Sequence, residues 1–223
     1  LTKLFAPRAV VFDMDGLLLD TERIALSTFE DACRAHGLDV GRAVYERCIG
    51  TSVKGTRVIL GEALGYDVYD RLSREWFRRY EARVATEAVE VKDGGREILE
   101  LTRALRIPTA LATSTATELA RTKLRLAGLL DFFAEIVGGD RVANAKPHPE
   151  PYLTAVAKLG HAPGDCWAVE DSDNGVRAAH AAGLYVFQVP DLVPPSADVR
   201  GLGHRIVSNL HDVARLLREH LEN

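Results

Sequence analysis

Cysteine is scarce in this chain of 223 residues: there are three, Cys33, Cys48 and Cys166. An odd number so widely spaced builds neither a disulfide framework nor a zinc site, and it suits a reducing compartment. A basic stripe is missing too. Lys and Arg total 28 against 32 Asp and Glu, a formal net charge of -4, so nucleic acid and anionic membrane are poor partners. No apolar run is long enough to span a bilayer. The opening LTKLFAPRAVVFD lacks a signal-peptide core, because Pro7, Arg8 and Asp13 interrupt it. No internal repeat stands out, and the histidines show no metal spacing. These absences leave a soluble, cytoplasmic protein as the expectation. Its 47% hydrophobic and 27% charged content is ordinary for a globular fold.

What is present is alternation. Short apolar runs at Ala9 to Phe12, Thr109 to Ala112, Glu135 to Val137, Cys166 to Val169 and Leu184 to Val189 read as buried strands. Helical patterns follow them at Glu97 to Leu105, Thr117 to Leu126, Pro151 to Leu159 and Gly175 to Ala182. A last helix, about Leu210 to Leu221, aligns Leu210, Val213, Ala214, Leu217 and Leu221 on one face. Strands alternating with helices predict an α/β fold, a mostly parallel sheet flanked by helices. Residues 21–91 break the rhythm. They read as helix throughout, in three segments, which is far more than one crossover requires. The expected organisation is a core of residues 1–20 and 92–223 with an all-helical insertion at 21–91. The tail from Pro190 to His204, rich in proline, is expected to be irregular.

Two pairs of acids end strands. Asp13 and Asp15 follow the first run, and Glu170 and Asp171 follow the fourth. In an open parallel sheet, ligands bind beyond the carboxyl ends of the strands. Either pair alone could simply start a loop or cap a helix. Together, if the strands are neighbours, they crowd four carboxylates into one place, which calls for a cation. A hard divalent ion with oxygen ligands answers that need, and Mg2+ suits it. A calcium loop starting at Asp13 is excluded, because its sixth position would be Leu18 rather than glycine.

Thr113-Ser114-Thr115 follows the second strand, and its hydroxyls and backbone N–H groups could cradle an anion before the next helix. Lys146 sits in NAKPHPEPY, stiffened by Pro147 and Pro149. Carboxylates for a metal, hydroxyls for an anion and one placed cation are together what a phosphate group uses. One Asp could then attack phosphorus while the other moves a proton.

Four motifs, VFDMDGLLLDTE, LATST, AKPHPEPY and VEDSDNGVRAAHAAG, in this order and spacing, resemble the haloacid dehalogenase superfamily of phosphohydrolases. The likeness covers nearly the whole chain and points to the phosphoglycolate phosphatase and beta-phosphoglucomutase branch. It implies a Rossmann-like core with a helical cap inserted after the first strand. Matched by position, it implies Asp13 as nucleophile and Asp15 as general acid/base. Thr113, Ser114 and Lys146 would bind phosphate. Asp13, the Asp15 carbonyl, Asp171 and Glu170 would hold Mg2+, Glu170 directly or through water. Asp15 disfavours the dehalogenases, which lack an acid there.

The resemblance implies a Mg2+-dependent phosphatase acting on a small phosphorylated metabolite, such as a sugar, polyol or glycolate phosphate. A beta-phosphoglucomutase is the second reading. It is weakened because those enzymes resemble one another in a histidine where this chain has Ala25 and an arginine near Val53, although Lys54 remains available. A non-enzymatic phosphate-binding regulatory module is the third, and the acid at Asp15 and the large insertion argue against it. The loop CIGTSVKGT is no P-loop, since no strand precedes it and Thr56 stands where the lysine should be. Within it, Thr51, Ser52 and Lys54 are candidates for substrate selection, or simply a polar turn between helices. A cap closing over the core would let the protein work as a monomer.

Overall fold

The computed structural model describes residues 4–40, 42–49 and 53–220. The chain divides into two compact units, one of residues 1–20 and 89–223, the other of residues 21–88.

The first unit is a six-stranded sheet: β1 (Ala9–Phe12), β2 (Thr109–Ala112), β3 (Glu135–Val137), β4 (Cys166–Glu170), β5 (Tyr185–Gln188) and β6 (Arg205–Ile206). Their order is β3-β2-β1-β4-β5-β6 and every pairing is parallel. The five longer strands coincide with the apolar runs of the sequence. β1, β2 and β4 are buried along their whole length, which is why they read as continuous rather than alternating. Helices connect successive strands: α5 (Gly95–Ala104) leads into β2, α6 (Thr117–Leu126), α7 (Glu150–Leu159) and α8 (Asp173–Ala181) lie between the next strands, and α10 (Leu210–Glu219) follows β6. This is a Rossmann-like α/β fold. α10 buries Leu210, Val213, Ala214, Leu216 and Leu217, and Asn209 caps it by accepting from the Asp212 N–H at 3.0 Å. The tail is less irregular than its prolines imply. Within it Ala197–Arg200 forms the short helix α9; just beyond it, Arg205–Ile206 joins the sheet edge beside Phe187 and Gln188.

The second unit is helical: α1 (Thr21–Ala35), α2 (Arg42–Glu46), α3 (Val53–Leu64) and α4 (Tyr66–Thr86). The reading of three helices misses α2, whose five residues are too few to show a period. The unit has its own core of Phe29, Ala32, Cys33, Tyr45, Cys48, Leu60, Tyr69, Leu72 and Trp76. The Phe29 ring lies 5.0 Å from Tyr45 and 5.1 Å from Trp76, and the Trp76 indole donates to the Ala25 carbonyl at 2.9 Å. Among the described residues, all three cysteines are buried free thiols, and no helix is long and apolar enough to cross a membrane.

β1 lies at the centre, between β2 and β4. Phe12 pairs with Leu111 on one side and Val169 on the other. Asp13, Thr113 and Glu170 therefore emerge at one end of the sheet.

Candidate active site

Asp13 is the first residue beyond β1. Its backbone N–H continues the ladder to the Val169 carbonyl at 3.0 Å, and its side chain is almost wholly buried. Lys146 meets it from the loop before α7. The Lys146 ammonium donates to Asp13 Oδ1 at 2.6 Å and to Glu170 Oε1 at 2.5 Å, with only 5% of its side chain exposed. Two features hold that lysine. The Glu150 carboxylate gathers the loop, accepting from the N–H groups of Ala143 (2.7 Å) and Asn144 (3.0 Å) and from Asn144 Nδ2 (2.9 Å). The Tyr152 ring lies 5.0 Å from the ammonium. His148 is exposed, and its ring accepts the Glu150 N–H within the same loop.

Glu170 is fully buried and fully engaged. Oε1 accepts from Lys146 and from the Tyr152 hydroxyl at 2.7 Å. Oε2 accepts from the Asp171 and Ser172 N–H groups at 3.0 and 3.1 Å and from Ser172 Oγ at 3.1 Å. Five donors exceed the usual four lone-pair sites of a carboxylate. Space for it exists because residue 175 is glycine: a Cβ there would fall 1.7 Å from Glu170 Oε1. Lys146 and its neighbours hold the Glu170 carboxyl below its ordinary range against the opposing effect of burial.

Asp15 follows a different path. The chain turns at Gly16 (φ 88), where a side chain would be strained. The Asp15 carboxylate meets the β2 loop instead of Lys146. Oδ1 accepts from Lys123 at 2.8 Å; Oδ2 accepts from Thr115 Oγ1 at 2.7 Å and lies 3.4 Å from Thr113 Oγ1. Thr113 is buried, and its hydroxyl accepts the Thr115 N–H at 3.1 Å. Ser114 between them is exposed. The start of α6 is already served by an internal anion. Thr117 donates through N and Oγ1, both at 2.7 Å, to Asp140 Oδ1, so the hydroxyl loop, more than the helix end, is left to meet a ligand.

Lys123 is the residue that sequence reasoning missed. It lies on α6 with no exposed surface, among the buried Thr117, Ala120 and Leu124. A charge inside an apolar stripe is the signal that could have found it.

Asp13, Glu170 and Asp171 offer oxygens that all lie within 4.8 Å of one another. Two buried carboxylates share one ammonium there, with Asp171 beside them. Burial, with Glu170 and Asp15 adding to it, pushes Asp13 up to about 7 despite the opposing pull of Lys146. An acidic cluster with more negative charge than its lysine neutralises fits a divalent cation. Of the residues proposed for substrate selection, Lys54 is exposed in the first turn of α3, while Thr51 and Ser52 lie outside the described residues.

Residues 10–189 match the family model of haloacid dehalogenase-like hydrolases. The chain belongs to that family, in its phosphoglycolate phosphatase and beta-phosphoglucomutase-like branch. It is 37% identical to a phosphorylated carbohydrates phosphatase of Thermotoga maritima, covering 79% of this chain and 82% of that protein. It is 33% identical to a phosphoglycolate phosphatase of Xanthomonas campestris, covering 80% of each. Among solved structures, CbbY of Rhodobacter sphaeroides in complex with xylulose-(1,5)bisphosphate superposes with a TM-score of 0.72 at 26% identity. That match covers 92% of this chain and 95% of the other.

Proposed function

We propose that this phosphoric monoester hydrolase is a Mg2+-dependent phosphatase of small phosphorylated carbohydrates, working through an aspartyl phosphate on Asp13. The observation that carries the reading is that Asp13 and Asp15, two residues apart, are each gripped by a different buried lysine. Two carboxylates with separate partners can take separate roles.

In the first step an Asp13 oxygen bonds to phosphorus as the ester P–O bond breaks, and Asp15 gives a proton to the departing oxygen. In the second, Asp15 takes a proton from water, the water oxygen bonds to phosphorus, and the Asp13–phosphorus bond breaks to release inorganic phosphate. Lys146 stays beside Asp13 and balances charge on the transferring group, while Thr113 and Ser114 receive its oxygens. Asp13, Asp171 and the Asp15 carbonyl would hold Mg2+, with Glu170 behind them as the clamp on Lys146 rather than a direct ligand. The bound ion supplies Lewis-acid neutralisation of the phosphate oxygens. Relatives that act on phosphorylated carbohydrates or hold xylulose bisphosphate support a sugar or related polyol phosphate as substrate.

The test is phosphate release from a panel of sugar, polyol, glycolate and nucleotide phosphates, with Mg2+ and with chelator. Metal-dependent release from one class, abolished in Asp13→Asn, is expected. Undiminished release by Asp13→Asn would sink the mechanism. Conversion of beta-glucose 1-phosphate to glucose 6-phosphate without release would favour the mutase.

A further inference from the structure

The proposed chemistry assigns Asp15 two opposite proton transfers, and both need its carboxylate held in one orientation. Lys123 is the group that holds it. Every other charged side chain of α6 is exposed: Glu118, Arg121 and Arg125. Lys123 alone is buried, with 0% of its side chain accessible. A helical side chain leans toward its own N-terminus, which carries the ammonium back from the second turn of α6 to the loop after β2. There it donates to Asp15 Oδ1 at 2.8 Å and lies 3.4 Å from Thr115 Oγ1, which itself donates to Asp15 Oδ2. Ammonium and hydroxyl thus take the two carboxylate oxygens from adjacent sites and fix the plane of the group.

Burying an ammonium is unfavourable unless a partner compensates. An apolar residue would serve packing on this face, as Ala120 and Leu124 do. We infer that Lys123 is a positioning residue for Asp15, acting with Thr115 and touching neither substrate nor metal. The inference rests on the phosphatase reading, because it presumes that Asp15 moves the proton.

The experiment compares leaving groups. An alkyl phosphate needs a proton on its departing oxygen, whereas p-nitrophenyl phosphate releases a phenolate that needs none. Phosphoenzyme formation is followed by acid quench in wild type, Lys123→Met and Thr115→Val, with thermal unfolding and inhibition by inorganic phosphate as controls. From the alkyl phosphate that wild type turns over best, formation in Lys123→Met is expected to slow by about tenfold or more, within the usual contribution of a positioned proton donor. From p-nitrophenyl phosphate it should change by less than about threefold, and phosphate inhibition should be unchanged. Thr115→Val should show the same contrast more weakly, and it carries the test if Lys123→Met does not fold.

Equal slowing with both substrates would mean a packing role and would overturn the inference. So would wild-type rates with the alkyl phosphate. Failure of the phosphatase reading looks different, since wild type would then release no inorganic phosphate from any substrate.

Discussion

Gly175 should be replaceable by alanine only when Glu170 is gone. Gly175 lies in the first turn of α8, where alanine is ordinarily better than glycine by about 1 kcal/mol. Here the added Cβ would sit 1.7 Å from Glu170 Oε1, 1.9 Å from Cδ and 2.2 Å from Oε2. Real Cβ contacts do not fall below 3.0 Å, so the carboxylate or the helix must move by at least 1.3 Å. Such a movement breaks several of the five hydrogen bonds at Glu170 and leaves Lys146 with Asp13 alone. Disrupting a buried ion pair costs about 3–5 kcal/mol, and overpacking about 1–3 kcal/mol. A loss on the order of 4 kcal/mol is therefore expected for Gly175→Ala. For a chain of this size that lowers Tm by about 10 °C. In a Glu170→Ala background the obstacle is absent, and the same substitution should be neutral or stabilising by up to about 1 kcal/mol. Urea unfolding of wild type, both single variants and the double variant measures the coupling. Equal cost of Gly175→Ala in both backgrounds would refute the reasoning, because the clash with Glu170 would not be its source.

Glu170→Gln keeps the shape, but every site around that carboxylate is a donor. The amide NH2 must face one of them, so a loss of about 1–3 kcal/mol is expected by chemical denaturation. Mg2+ at a hundredfold excess over its Kd should raise stability by about 2.7 kcal/mol, and Asp171→Asn should remove most of that gain in a melting assay with and without chelator. His211 pairs through Nε2 with Asp93 (3.0 Å) and through Nδ1 with Glu97 (2.5 Å), and these carboxylates raise its pKa. A raised histidine contributes stability fully below its unfolded pKa, about 6.5, and loses it as pH climbs through the folded value. The group is 45% exposed, so His211→Ala should cost no more than about 1 kcal/mol at pH 5.5 and less at pH 9. Arg106 adopts φ 56 without being glycine. Arg106→Gly should stabilise by a few tenths to about 1 kcal/mol in urea unfolding.

How much of this was legible in the sequence depends on the range of the interaction. The five longer strands were visible because each is buried and bounded by turns. β6 was not, since its two residues join the sheet only through the edge of β5. α2 was too short to show a period. Asp13, Asp15, Glu170 and Asp171 were found as acids at strand ends, and Lys146 as a cation fixed by prolines. Their pairing was beyond reach. That Glu170 is saturated depends on Tyr152, 18 residues upstream, and on a glycine five residues downstream. Neither carries a local pattern that announces the contact.

Lys123 shows the same limit more sharply. Read along the chain, it is one of three basic residues in α6, and solvated charge is the ordinary reading for such a helix. Read around the helix, it interrupts the buried face formed by Thr117, Ala120 and Leu124. A lysine there must either distort the packing or find an acid, and 108 residues away in sequence Asp15 is that acid. Asp13 poses the same problem at the other carboxylate, and Lys146 answers it from the opposite direction in the chain. Each acid of the DMD motif thus has a buried ammonium from a different segment, one after β2 and one after β3. The different surroundings of two chemically identical carboxylates are consequently set by the tertiary fold, and the motif by itself fixes only their spacing.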